Sequence, residues 1–243
     1  VAEIWTGTPI APPPLLVQNE STHRSKPLPA SSARARFSLY AYSYWRWPSG
    51  ITTLAPGGQY GGSQSGLIAT YGIWTMARID AQARIAFTPE RNGEREAALG
   101  LRWQPVKSLP LHLVAERRFR NNAPDRFAVS LAGGINPLRL PAGIRLEGYG
   151  QAGWVTGPQA SWFFDASAQA TRRVFENRKA TLSVGVGAWA GGQRGAQRLD
   201  IGPRLDLQLS PNIPLRLSAD WRFRMSGNAR PDNGPAVTLS TAF

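Results

Sequence analysis

Leu215–Met225 reads LRLSADWRFRM, with Leu215, Leu217, Ala219, Trp221, Phe223 and Met225 in every second place and Arg216, Ser218, Asp220, Arg222 and Arg224 between them. Alternation of period two is a β-strand with one apolar and one charged face. A soluble sandwich buries the apolar face and seldom repeats so dense an Arg/Asp face on almost every strand. A membrane barrel does the reverse, turning the apolar face to lipid and the charged face to the lumen.

The same plan recurs from Ala35 onward. Phe37, Leu39, Ala41, Ser43 and Trp45 oppose Arg36, Ser38, Tyr40, Tyr42, Tyr44 and Arg46; Ile79, Ala81, Ala83, Ile85 and Phe87 oppose Arg78, Asp80, Gln82 and Arg84. Ala97, Leu99, Leu101 and Trp103 oppose Glu96, Ala98, Gly100 and Arg102, and the next strand carries His112, Glu116, Arg118 and Arg120 inward. Arg117 interrupts the apolar side there, which an interfacial position tolerates. The sixth segment sets Phe127, Val129, Leu131 and Ile135 against a small uncharged face, leaving space beside it, and Pro137 to Pro141 reads as the following turn. Arg145, Glu147, Tyr149 and Gln151 share the next polar face, Asp165 to Arg173 the one after, and Arg198, Asp200, Arg204, Asp206 and Gln208 the tenth. Trp45, Trp74, Trp103, Trp154 and Trp189 stand near strand ends, where an interfacial aromatic girdle belongs. The expected fold is all-β: an antiparallel transmembrane up-and-down β-barrel of about 12 strands over residues 35–243.

Composition agrees with this reading and removes others. The chain has 243 residues, is 42% hydrophobic, and has a mean hydropathy of -0.28, which polar lumen residues produce in any membrane barrel. No apolar run reaches the roughly 18 residues of a membrane-spanning helix. The absence of cysteine excludes disulfides, thiolate metal sites and a cysteine nucleophile. The formal charge of +13 lies mainly in the strand region, since the first 34 residues set Arg24, Lys26 and Arg34 against Glu3 and Glu20. The arginines are spread along many strands among acids instead of forming one helix, arm or patch, so no nucleic-acid partner is expected. Residues 1–34 are rich in proline without either period and read as a tail or linker; Val1–Ile10 has the character of a mature or truncated N-terminus.

The last strand carries Val237, Leu239, Thr241 and Phe243 on one face. It resembles the C-terminal targeting strand of bacterial outer-membrane β-barrels, which ends in an aromatic residue read by the barrel assembly machinery. That resemblance implies a bacterial outer-membrane location, an assembly signal at Phe243, and lipid and lipopolysaccharide as surroundings. A narrower resemblance rests on GGSQSG at Gly61–Gly66, AERR at Ala115–Arg118 and DWRFR at Asp220–Arg224. These look like the C-terminal barrel of phage-adsorption and exopolysaccharide-export outer-membrane proteins, families that join a barrel to periplasmic helical repeats. Residues 1–34 are too short for such repeats, so either the repeats are absent or they lie outside this chain.

The candidate functional residues are the arginines of the polar faces: Arg36, Arg46, Arg78, Arg84, Arg102, Arg118, Arg120, Arg145, Arg173, Arg198, Arg204, Arg216, Arg222 and Arg224. They exceed the acids on the same faces, which suits anions in an open pore; a lumen filled by salt-bridged side chains is the competing expectation. Tyr40, Tyr42 and Tyr44 form a ladder able to stack sugars or to pack against the tail. His112 and Glu116 fall two inward places apart, as a base with its orienting carboxylate requires, but no nucleophile stands at a recognisable spacing, so an enzyme is not expected. No cofactor or metal is expected either. The functional expectation is a channel or export barrel for an anionic or saccharide polymer. The alternatives are a non-conducting structural or docking barrel, with residues 1–34 contacting a periplasmic or membrane partner, and a lipid hydrolase.

Overall fold

The computed structural model describes residues 36–47, 62–89, 93–121, 123–157, 160–209 and 214–243. Alternating segments become twelve antiparallel strands: β1 (Phe37–Arg46), β2 (Gln64–Trp74), β3 (Ile79–Phe87), β4 (Arg95–Trp103), β5 (Leu111–Arg120), β6 (Ala123–Leu140), β7 (Ile144–Val155), β8 (Ser161–Glu176), β9 (Ala180–Gln193), β10 (Ala196–Leu209), β11 (Leu215–Gly227) and β12 (Gly234–Ala242). Each pairs with its neighbours in sequence, and β1 pairs with β12 from Tyr40↔Ala242 to Arg46↔Ala236, which closes the barrel. Phe243 extends that seam: its N–H donates to the Leu39 carbonyl at 2.8 Å and its own carbonyl accepts from Leu39 N–H at 2.9 Å. Closure leaves no strand edge unpaired, the condition for backbone to cross a bilayer without water.

The start of β1, the end of β12 and the turns 75–78, 104–110, 141–143 and 177–179 lie at one rim; the end of β1, the start of β2 and the β11–β12 loop lie at the other. In the outer-membrane plan the rim of chain ends and short turns is periplasmic and the loop rim extracellular. Between the rims the alternation holds. Leu99, Leu101, Phe127, Val129, Leu131, Val186, Ile201 and Phe223 are exposed on the outer wall, while Glu96, Glu116, Arg118, Ser130, Asp200 and Arg222 on the same strands are buried inside. Apolar exposure around the whole circumference is a surface made for lipid.

One local feature departs from the sequence reading, and two others show how an awkward residue is accommodated. Pro137 does not open the turn: β6 continues to Leu140, with a register shift between Ile135 and Leu138, and the chain turns through a short 3-10 segment at Pro141–Gly143. Beyond Gly133 the strand has lost its β5 neighbour, and a proline lacking N–H is tolerated at such an edge or bulge. On β10, Pro203 sits in a strand interior because the ladder to β11 skips Gly202 and Pro203; a Cβ on Gly202 would lie 1.7 Å from the Trp221 carbonyl oxygen. Arg117 remains on the outer wall near the extracellular end of β5. There it pairs with Asp125 at 2.8 Å and lies over the rings of Phe119 and Phe127, an arrangement that lowers the cost of its charge.

Depth along the outer wall can be tested by moving charge onto it. Ile201→Arg, in the middle of β10, is expected to cost about 2–4 kcal/mol of unfolding free energy in lipid vesicles, and Trp154→Arg, one residue from the end of β7, less than about 1 kcal/mol. Urea titration of the vesicle-folded variants measures both; equal costs would contradict a bilayer spanning the barrel between its rims.

Candidate functional site

Twelve strands enclose an interior wider than the eight-stranded barrel that ordinary side chains fill, yet narrower than a porin. Arginine is long enough to reach across it. Inward charges gather in three networks.

Near the extracellular rim, Asp200 accepts from Arg46 at 3.0 Å and from Arg198 Nε at 2.6 and 2.7 Å, all three side chains being buried. On the β3–β5 side, Arg84 joins Glu96 and, at 3.2 Å, Glu116, which also accepts from Arg118 Nε at 2.5 Å. Arg120 donates to Glu94 at 3.3 Å. Towards the periplasmic rim, Asp206 accepts from Arg204, Arg216 and Ser218; Arg204 also reaches Asp220 at 2.9 Å; and Glu147 joins Arg145 at 2.7 Å to Arg216 at 2.9 Å.

Several of these contacts are chords across the lumen. Arg216 on β11 and Glu147 on β7 are separated in the ring by β10, β9 and β8; Arg46 on β1 and Asp200 on β10 by β12 and β11. Aromatic rings fill the spaces between. The Arg222 guanidinium lies 4.2 Å from the Trp189 ring centroid and 5.0 Å from that of Tyr44, and Arg118 lies 5.4 Å from Phe163. Phe163 packs with Ala128 and Val155, so the small face of β6 makes room for a neighbour's ring. These ion pairs and rings brace the interior from wall to wall.

Most arginines expected inside are inside: Arg46, Arg84, Arg118, Arg120, Arg198, Arg204 and Arg222 are well buried there, with Arg102, Arg145, Arg216 and Arg224 partly so. Three are not. Arg36 is exposed before β1 at the periplasmic rim. Arg78 occupies the β2–β3 turn at φ 57° and donates to Gln104 at 3.3 Å. Arg173 is exposed beside Glu176, where β8 shifts register. Tyr40, Tyr42 and Tyr44 do point inward. Tyr40 and Tyr42 stack on each other at 5.8 Å, and Tyr42 accepts from Gln64 at 3.0 Å. Trp189 is a correction: it is buried in the lumen, not placed in the girdle. Val184 and Val186 face out, so parity sends Trp189 inward, and Gly187 leaves room for it, since a Cβ there would lie 2.4 Å from the ring.

His112 meets Arg102 at 2.7 Å. Glu116 stands about 13 Å further along the strand, at four residues' rise, and serves Arg84 and Arg118, so His112 is not paired with it as a base with its carboxylate would be. Among the described residues no group of three or more histidine and carboxylate side chains is placed to hold a metal ion. Residues 1–34 lie outside the described residues, as does most of the 47–63 connection.

A closed wall that is apolar outside and carries buried, paired charge inside decides the class. This chain is a closed, twelve-stranded antiparallel β-barrel with the outer wall of a membrane-spanning one. No family model and no curated protein matches its sequence. Solved structures similar to it in shape include a bacterial polysaccharide outer membrane secretin (9% identical, TM-score 0.45, covering 85% of this chain and 97% of the other). Others are the β domain of the Bordetella autotransporter BrkA (12%, TM-score 0.47, 85% and 98%) and the NanC porin (11%, TM-score 0.44, 84% and 98%).

The networks make a stability prediction. Asp200→Ala leaves Arg46 and Arg198 facing each other in the interior and is expected to cost about 3–5 kcal/mol. Arg173→Ala, which removes an exposed pair, is expected to cost less than about 1 kcal/mol. Denaturant unfolding of the vesicle-folded proteins checks the contrast, and similar values for the two would mean that the lumen is wet around Asp200.

Proposed function

We propose that this barrel is an outer-membrane conduit for an anionic or saccharide polymer, held shut in the conformation described. The observation that carries the proposal is that inward arginines outnumber inward carboxylates and leave guanidinium nitrogens unpartnered, although Asp165 is also buried with both carboxylate oxygens unpartnered among the described residues. Both terminal nitrogens of Arg118, and the Nε atoms of Arg46 and Arg84, are buried without a hydrogen-bond partner among the described residues. Buried donors left unpaired are costly, and an acceptor-rich chain of carboxylates and hydroxyls would satisfy them. Arginine-lined pores favour anions for the same reason. Exchange at Glu147 or Asp200 would leave a buried carboxylate unpaired and is costly, so the unpartnered guanidinium nitrogens are the first places a polymer's acids would take.

A second reading, a non-conducting barrel that anchors or docks an envelope partner, is favoured by the chords Arg216–Glu147 and Arg46–Asp200. Planar-bilayer recording separates the two. The conduit reading expects anion-preferring openings that added oligogalacturonate blocks, and a higher open probability for Arg216→Gln, which cuts a chord. Silence from both the wild-type and the Arg216→Gln barrel would leave the docking reading in its place.

A further inference from the structure

At the extracellular mouth one loop folds back onto the barrel wall. Between β11 and β12 the loop 228–233 turns Ala229 and Pro231 into the barrel and leaves Asn228, Arg230, Asp232 and Asn233 exposed. Ala229 packs against Ala196, and the N–H groups of Asn228 and Ala229 donate to the Gln197 carbonyl at 3.0 and 3.1 Å. The loop's own carbonyls then meet three arginines. Arg198 donates to Ala229 O at 3.3 Å, to Pro231 O, and to Asp232 O at 3.4 Å; Arg46 donates to Asp232 O at 3.2 Å; Arg224 donates to Ala229 O at 3.2 Å. The Asp232 carboxylate adds an ion pair to Arg224 at 2.6 Å.

The balance of charge here is the telling feature. With the loop in place, Arg46, Arg198 and Arg224 share two carboxylates, Asp200 on the wall and Asp232 on the loop. If the loop lifts, Asp232 and all the carbonyl acceptors leave together, and three guanidinium forks remain with Asp200 alone. Neutral carbonyls make weaker partners for guanidinium than carboxylate or phosphate oxygens, which form shorter, charge-assisted and often bidentate bonds. The loop is flanked by Gly227, at φ 97°, and Gly234, positions able to absorb a change of backbone direction.

We propose that the β11–β12 loop is a displaceable plug seated in an anion-binding site formed by Arg46, Arg198 and Arg224, and that an anionic group on a saccharide polymer takes the places of its carbonyls and of Asp232. This rests on the conduit reading for the identity of the ligand, but not for the existence of the site.

The chain has no cysteine, so a single engineered bridge can hold the loop down. Ala196→Cys/Ala229→Cys joins two side chains already in contact. The vesicle-folded protein is titrated with oligogalacturonate, with a neutral glucose oligomer and with inorganic phosphate, oxidised and then reduced. The expected result is binding of oligogalacturonate that weakens about tenfold or more on oxidation, because the competent fraction is locked out. Replacing 228–233 by Gly-Gly is expected to tighten it, and Arg224→Gln, at the partly exposed edge of the cluster, to weaken it in the shortened barrel. Phosphate binding alone, with no response to the oligomer, would overturn the polymer as ligand. Equal binding in both redox states, or none in the shortened barrel, would overturn the plug. Redox-dependent binding in a barrel that stays silent in bilayers removes the conduit and keeps the plug; anion-selective conductance indifferent to oxidation does the opposite.

Discussion

The interior of this barrel depends on neutralising buried arginine. A guanidinium buried as Arg46, Arg118, Arg198 and Arg222 are has given up its solvent contact, and leaving one uncompensated is far costlier than the modest net worth of a pair. The interior is therefore organised around acceptors. Carboxylates on neighbouring strands come first, as with Arg204 and Asp206; carboxylates across the lumen come next, as with Arg216 and Glu147. Aromatic faces and loop carbonyls take what is left, as with Arg222 over Trp189 and Arg198 beneath Pro231. The pairing that closes the ring, β1 to β12, brings Arg46 within reach of Asp200, so barrel closure and lumen chemistry are one constraint.

Arginine, and not lysine, carries the inward positive charge. The described lysines, Lys107 and Lys179, lie in turns. A planar fork with five donors can serve a carboxylate, a carbonyl and a ring face at once, whereas an ammonium is a compact, strongly hydrated point charge that interior burial penalises more. Arg198 shows the difference: its Nε holds Asp200 while its two terminal nitrogens reach three carbonyls of the loop.

The wall was legible in the sequence because alternation is local. On β10, the order Arg198, Leu199, Asp200, Ile201 states which side chain faces which way, and the structure keeps it. Trp189 was misplaced where residue type was allowed to outweigh parity: a tryptophan near a strand end suggests a girdle, but its even spacing from Gly185 and Gly187 put it inside. Arg36, Arg78 and Arg173 failed at strand ends, where a turn or a bulge resets the alternation that the middle of a strand enforces. The chords were not legible at all. Glu147 and Arg216 are 69 positions apart, and which inward residue faces which across the lumen is set by ring closure and by the register of every strand between them.

The same dependence ties the seal to the site. A lumen lined by carboxylates alone, or by matched fixed pairs, would close without leaving chemistry for a ligand. Here the acceptors that satisfy arginine are of unequal strength, and the weakest, the neutral carbonyls of the β11–β12 loop, sit at the extracellular mouth where they can be withdrawn without disturbing the wall. The stronger partners, Asp206 and Glu147, lie towards the periplasmic rim. Even at the mouth the wall carboxylate Asp200 holds Arg46 and Arg198, so the loop adds acceptors to arginines that share a single wall carboxylate, whereas Arg216 deeper in has two carboxylates to itself and its neighbours, Asp206 and Glu147.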